Sequence, residues 1–239
     1  MNLPPISQLY ETVDATWPAA AFSRVGPWTI REGRGGGKRV SAASLQSDFS
    51  PADIAVGQAR MAALGQTPLF LVREGEDRLD RTLDDYGYSI IDPVSFYACP
   101  VAALTTGHFT ASVETTQWPP SDSAKKIWAE GGIGPERLDV MNRVKGPKSV
   151  IAAQSGGEIA GVGFTAVAAK IAMIHAIEVS PKMRRRRAGT AVLHSAADWA
   201  KKRGCDYLTL AVTDANRPAN ALYSKLGMSL VGSYHYRTK

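Results

Sequence analysis

The sequence predicts a mixed α/β (α+β) protein built as two units, on three observations. Apolar residues recur with period two in some stretches and period 3.6 in others, and the two kinds alternate along the chain. Hydrophobic residues make up 44% of the 239 positions and charged residues 21%, enough apolar material for a buried core. The charge divides unevenly: residues 1–106 hold 9 basic and 12 acidic side chains, net −3, and residues 107–239 hold 19 and 10, net +9. Such a division suggests two units with different tasks.

In the first unit, residues 5–16 predict a helix with Ile6, Leu9, Tyr10 and Val13 on one face. Residues 28–34 and 39–45 predict two strands joined at Gly35-Gly36-Gly37 as a hairpin. Ser50 followed by Pro51 predicts a capped helix running to about Leu64, before Gly65. A short strand follows over 68–73, a polar helix over 76–86 ended by Gly87, and a strand over 88–99 with Pro93 at an edge or bulge. The small, uncharged stretch 100–107 is the expected boundary between units 1–106 and 107–239.

The second unit reads as a strand over 109–116, helices near 121–130 and 135–144, and strands over 148–154 and 159–169 around Ser155-Gly156-Gly157. A strand over 171–179 comes next. The helix over 188–203 carries Val192, Ala196, Trp199 and Ala200 as its apolar stripe and stops at Gly204. A strand over 207–212, a helix over 216–226 and a strand over 228–236 complete the order.

Composition excludes several function classes. No apolar run approaches the ~18–20 residues of a membrane-spanning helix, and the start MNLPPISQLYETVD shows no secretory pattern. Cys99 and Cys205, the two cysteines, give no disulfide framework, which fits a reducing cytoplasm. His108, His175, His194 and His235 show no metal-ligand spacing, so no metal is expected. The +9 half admits nucleic acid, anionic membrane or a phosphate-bearing ligand. Its basic run has no interleaved aromatics to stack on bases, so neither nucleic acid nor membrane is expected as a partner.

That run is Val179-Ser-Pro-Lys-Met-Arg184-Arg-Arg-Arg-Ala-Gly189-Thr-Ala191. It lies between a strand and a helix start, where unpaired N–H groups and the positive dipole end favour anions. Small residues and arginines there make a phosphate site, with Gly189 and Ala191 expected at the close approach.

Residues 171–228 resemble the acetyl-CoA-binding core of the GNAT N-acetyltransferase superfamily. That family has Gln/Arg-x-x-Gly-x-Gly/Ala after a strand ending in Val-x-Pro, and later Asn-x-x-Ala-x-x-Leu-Tyr-x-x-x-Gly-Phe/Met. The second pattern is matched in full by Asn216-Arg-Pro-Ala219-Asn-Ala-Leu222-Tyr223-Ser-Lys-Leu-Gly227-Met228. Asp198-Trp199-Ala200-Lys-Lys-Arg-Gly204 between them has the family's spacing. Counted from Pro181 and Gly204, the first loop glycine falls on Arg187 and the second on Gly189. The literal alternative, Arg186-x-x-Gly189-x-Ala191, needs a loop two residues longer. The first unit resembles N-terminal halves of bacterial tandem GNAT proteins at Trp17-Pro18, Gly26-Pro27-Trp28-Thr29-Ile30-Arg31 and Gly87-Tyr88. Without the helix-opening motif, it is expected to be a degenerate repeat with no acetyl-CoA of its own.

The resemblance implies a mixed, mostly antiparallel sheet flanked by helices. It also implies N-acetyl transfer from acetyl-CoA to a small-molecule or peptide primary amine. Arg184, Arg185, Arg186, Arg187, Ala188, Gly189 and Thr190 are the expected phosphate contacts, and Asn216, Ala219 and Tyr223 further cofactor contacts. Backbone N–H groups near Ile177 and Val179 would hold the acetyl carbonyl. Tyr223 is the expected proton donor to the leaving thiolate. For the base, period two places His175 with Met173, Ile177 and Val179 on one face and turns Glu178 to the other unless a bulge intervenes, so His175, with an ordinary pKa near ~6.5, ranks above Glu178. The rivals are a non-catalytic acyl-CoA-binding module, with Arg187 as its symptom, and, less favoured, a nucleic-acid-binding protein.

Overall fold

The three helices expected in the first half form where the sequence places them, and so do most of its strands. In the computed structural model, which describes residues 2–105, 112–155 and 157–239, the chain opens with α1 (Ile6–Thr16), β1 (Ala21–Val25) and β2 (Trp28–Glu32). A 3-10 turn (Lys38–Val40), β3 (Ala43–Leu45), α2 (Ala52–Ala63), β4 (Leu69–Arg73), α3 (Asp77–Asp85), β5 (Ser89–Pro100) and α4 (Val101–Leu104) follow. The second half contains β6 (Ser112–Gln117), α5 (Asp122–Glu130), α6 (Pro135–Arg143), β7 (Lys148–Ser155), β8 (Glu158–Ala168) and β9 (Ile171–Val179). After a 3-10 turn (Pro181–Met183) come α7 (Ala188–Lys201), β10 (Tyr207–Thr213), α8 (Arg217–Lys225) and β11 (Ser229–Thr238).

Three local expectations need correction. The glycine run 35–37 does not join a hairpin: β2 turns back on β1 at Gly26-Pro27, with Val25 opposite Trp28. β1 escapes a period-two search because it lies at the sheet edge and alternates no apolar residues inward. The expected strand over 39–45 begins inside the 3-10 turn (Lys38–Val40), and only its last three residues form β3. Ser50 does not cap α2 by accepting from its amides. Its hydroxyl donates to the Asp53 carboxylate at 2.9 Å, and its own N–H does so at 2.7 Å.

The eleven strands of the described residues join one sheet in the order β1-β2-β3-β4-β11-β5-β10-β9-β8-β7-β6. Pairing is antiparallel except for β3 with β4 and β9 with β10, the two places where a helix crosses over. The order is close to palindromic, and its centre is exchanged. β5, from the first half, pairs with β10, while β11, from the chain's end, lies between β4 and β5. The expected boundary at 106/107 lies outside the described residues, as do the start of the strand expected at 109 and the middle of the glycine turn at 156.

Apolar clusters cover both halves. α7 buries Val192, Leu193, Ala196, Trp199 and Ala200 against β7–β10, and α2 and α3 bury Ile54, Met61, Leu79 and Leu83 against Trp28, Ile30 and Phe70. No helix among the described residues is long and apolar enough to cross a membrane.

Candidate active site

β9 and β10 pair only from Ile171–Met173 to Tyr207–Thr209, although β9 continues to Val179 and β10 to Thr213. Beyond that point the strands diverge and open a cleft of about 320 Å³, lined by Ile174 to Glu178 on one side and Leu210 to Thr213 on the other. A parallel pair that splays leaves backbone donors and acceptors facing the gap, which a bound ligand can satisfy.

A bulge in β9 sets which side chains face this cleft. Phe164 lies opposite His175 and Val162 opposite Glu178, so two residues of β9 oppose Gly163 alone. Ala176 takes φ +51° there, and its carbonyl accepts the indole N–H of buried Trp128 on α5 at 2.8 Å. The extra residue reverses the expected alternation. His175 and Glu178 share a face, while Ile177 and Val179 pack toward α7. Glu178 also has cleared space, since a Cβ at Gly131 would lie 2.5 Å from its carboxyl carbon.

His175 departs from its expected pKa. Burial, and then the nearby charge of Arg39, hold its pKa well below the usual 6.5. Its Nε2 is 2.9 Å from Thr16 Oγ1, whose own proton goes to the Thr12 carbonyl at 2.6 Å. Nε2 is therefore the protonated nitrogen, and Nδ1 is a buried acceptor with no partner among the described residues. Such an imidazole is a weak base. Glu178 has the opposite shift: burial raises its carboxyl, while Arg184 and Arg137 pull it down by less. A carboxylate lifted this way is the better proton acceptor near neutrality.

Tyr223, on α8, is 6% exposed and lies 5.7 Å, ring to ring, from Tyr97. Burial, then Glu178 and Tyr97, push its hydroxyl up to about 12, which keeps it protonated and able to donate. Its ring packs in the core while the residue also lines the cleft, so the packing and chemical roles coexist. Asn216 does the same. Its Oδ1 caps α8 by accepting from the Ala219 N–H at 3.3 Å, and the residue lines the cleft.

The phosphate-type site follows β9 directly. Arg184, Arg185, Arg186 and Arg187 are exposed, and their guanidinium groups make no hydrogen bond or ion pair among the described residues. Arg187, the residue before α7, adopts φ +62° and ψ 16°. A glycine takes that left-handed conformation without strain, whereas an arginine does so at a cost of ~1–2 kcal/mol. Arg185, two residues earlier, takes the same φ of +62°. The amides of Ala188, Gly189 and Thr190 find no backbone acceptor among the described residues, and that of Ala191 bonds to the Arg187 carbonyl at 2.9 Å. Three free amides beside four arginines suit a pyrophosphate. The close-approach role expected of Ala191 needs correction, because Ala188 and Ala191 are buried in the α7 core. Gly189 leaves little room for a side chain: a Cβ there would stand 3.3 Å from Leu222.

The expected site residues thus fall into two adjoining groups. Tyr223, His175, Glu178, Ile177 and Asn216 line the cleft. Val179, Arg184 to Arg187, Ala188, Gly189 and Thr190 continue from the end of β9 into α7, and Ala219 packs beneath them with Leu222. Sequence reasoning missed Trp128, Gly131 and Arg137 of the second half, and Trp17, Lys38, Arg39 and Asp92 of the first. The one available signal was the glycine run 35–37 ahead of two basic residues. Gly36 is so close to α6 that a Cβ would fall 2.5 Å from Val140. Cys205 is buried, and burial raises its thiol, so it lacks the marks of a nucleophile. Among the described residues no group of His, Cys, Asp and Glu could hold a metal.

Comparison with known proteins agrees with this geometry. An uncharacterized N-acetyltransferase of Bacillus subtilis (strain 168), YobR, is 24% identical over 245 residues, covering 98% of each chain. Streptothricin acetyltransferase of Streptomyces lavendulae is 31% identical over 106 residues, 44% of this chain and 53% of that one. Among solved structures, a GCN5-related N-acetyltransferase from Kribbella flavida aligns over 98% of this chain and 95% of its own, with TM-score 0.69 and 15% identity. A tandem GNAT protein from the clavulanic acid biosynthesis pathway aligns over 83% and 74%, with TM-score 0.65 and 12% identity; at such identities the likeness is one of fold. Residues 108–228, half of the chain, match the Acetyltransferase (GNAT) family. The chain belongs to that family and is an acyltransferase.

Proposed function

We propose that the protein transfers an acetyl group from acetyl-CoA to a primary amine, in one site per chain within a second unit spanning 107–239. One observation carries the reading: β9, whose bulged end lines the cleft with Tyr223 as far as Glu178, leads within ten residues to the three free amides at the start of α7. Acetyl-CoA supplies an activated thioester. The amides of Ala188, Gly189 and Thr190 and the side chains of Arg184 to Arg187 would hold its pyrophosphate. Backbone N–H groups of β9 near Ile177 and Val179, freed where β10 departs, would hold the acetyl oxygen as negative charge builds on it.

Glu178, through water, takes the protons that the ammonium must lose to become a nucleophile and then an amide. Transfer forms the bond from nitrogen to the acetyl carbon as the bond from that carbon to sulfur breaks. Tyr223 gives its proton to the departing thiolate and regains one from solvent. His175, neutral and fixed by Thr16, shapes the acceptor side and is not the base in this reading. The first unit, 1–106, holds no acetyl-CoA and closes that side through Trp17, Lys38 and Arg39.

The test is a panel of primary amines offered with acetyl-CoA, followed by free thiol release and by mass spectrometry of the product. At least one amine is expected to release CoA and gain an acetyl group in equal amounts. Acetyl-CoA binding with no turnover on any amine class would count against the reading.

A further inference from the structure

The acceptor end of the cleft is built from both halves of the chain. Lys38 and Arg39, on the turn that Gly36 presses against α6, meet Arg137 of α6 and His175 of β9. Their charges do not balance. Lys38 is taken up by Asp92 at 2.5 Å, and neighbouring Arg31 by Asp14 at 2.7 Å. Arg39 has no carboxylate within ion-pair distance among the described residues. Its Nε donates to the hydroxyl of Tyr234 at 3.4 Å, and Tyr236 lies beside it. Burial works against its charge and the two phenols outweigh that effect, so the guanidinium stays charged. His175, on its other side, is neutral. Arg137 is exposed and makes no ion pair among the described residues. A half-buried guanidinium that faces the cleft and has no carboxylate partner among the described residues, while Asp92 is taken by Lys38, is a site for an anion.

We infer that the acceptor is an amine that also carries a carboxylate, the amine directed to Glu178 and the carboxylate received by Arg39 with Arg137 at the cleft mouth. The inference rests on the acetyl-transfer reading for the role of the amine, but the anion subsite stands on Arg39 itself. A planar guanidinium can present two parallel N–H groups to a carboxylate. The same surroundings disfavour polycations such as linear polyamines, for which the end of the cleft beyond Glu178 would be repulsive.

The test uses matched pairs: glycine with glycinamide, L-phenylalanine with L-phenylalaninamide, and L-lysine with cadaverine. Wild-type kcat/KM is expected to favour the carboxylate member by about tenfold or more, the scale of one charge-assisted hydrogen-bonded pair. Arg39→Gln should bring the ratio near one by raising KM for the carboxylate, with kcat little changed, and Arg39→Lys should restore part of it. A merely structural arginine would lower activity on both members alike. Equal use of acid and amide by wild type, a preference for cadaverine, or a ratio that Arg39→Gln leaves intact would overturn the inference. Should Arg39→Gln fail to fold, wild-type inhibition by 3-phenylpropionate against 3-phenylpropionamide decides the same question: the acid is expected to inhibit more strongly, and equal inhibition would overturn the subsite. Calorimetry of the same pairs separates the two claims. Acid binding without turnover would sink acetyl transfer and keep the subsite, whereas turnover without discrimination would do the reverse.

Discussion

The two halves of the sheet each contain a parallel strand pair bridged by a helix, β3-α2-β4 and β9-α7-β10, and they differ at the mouth of that unit. In the first half the strand ends are tied: Arg73 of β4 donates from Nη1 to the Leu45 carbonyl, the last residue of β3, at 3.1 Å. Gln66 stitches the neighbouring loops, donating to the Arg31 carbonyl at 2.8 Å and accepting from the Gly33 N–H at 2.7 Å. The start of α2 carries its own anion, the carboxylate of Asp53. In the second half a bulge bends β9 away from β10, no side chain among the described residues ties the ends, and α7 begins with bare amides next to four arginines. The topology is shared and the chemistry is not. A crossover helix becomes a phosphate site only when its first turn is left unoccupied and the strands beside it are held apart.

Glu178→Gln should break the active half most. General-base loss costs ~100–10,000-fold, and kcat/KM is expected to fall toward the middle of that range. The wild-type profile should rise with pH through the pKa of Glu178. Burial lifts that pKa above the usual 4.5, so activity is lost as pH falls through the lifted value. His175→Gln should leave this acidic limb in place, and a limb that vanishes with His175 would restore the imidazole as base.

Tyr223→Phe keeps the ring that packs against Tyr97 and removes the donor. We expect kcat to drop ~100-fold, the low end for a general acid, since a thiolate leaves tolerably on its own. Acetyl-CoA affinity should hold. With its hydroxyl raised to about 12, Tyr223 should impose no alkaline fall in kcat across the neutral range. Unchanged kcat would return the residue to packing alone.

Gly189→Val sharpens the comparison at the helix start. A branched side chain must crowd Leu222 and stand over the free amides. Overpacking of this kind costs ~1–3 kcal/mol, so acetyl-CoA affinity is expected to fall about 10–100-fold. Arg187→Gly should cost less, because glycine accepts the left-handed conformation there.

The smallest effect concerns stability. His175 is held neutral, with a folded pKa below its unfolded value. The unfolded chain therefore binds the proton more readily, and His175's contribution to stability is full above about pH 6.5 and is lost as pH falls below it. Thermal midpoints of wild type should decline from pH 7 to pH 5 more steeply than those of His175→Gln. Equal slopes would contradict the buried, neutral imidazole.

Sequence could reveal what lies close along the chain. The loop at 184–191 and the helix beginning at Asn216 are contiguous, so the expectation of an anion site and of a capped helix could be formed from their residue types before any packing was known. The faces of β9 were misread because period two assumes an unbroken ladder, and one extra residue at Ala176 exchanges inside for outside. Trp128, which holds that bulge, is 48 positions away from it and carries no local mark. Arg39 reaches the cleft only because the glycine run packs on α6, a contact between halves that no window of sequence contains. The exchange of β5 and β11 was equally hidden, because nothing in a strand's own pattern names its neighbour.

The central claim is that one half of this sheet, and not the other, receives acetyl-CoA. Isothermal titration of the full chain with acetyl-CoA tests it most directly, in wild type and in Gly189→Val. The account predicts one site per chain, weakened by the substitution at α7. Two sites per chain, or one whose affinity Gly189→Val leaves unchanged, would contradict it.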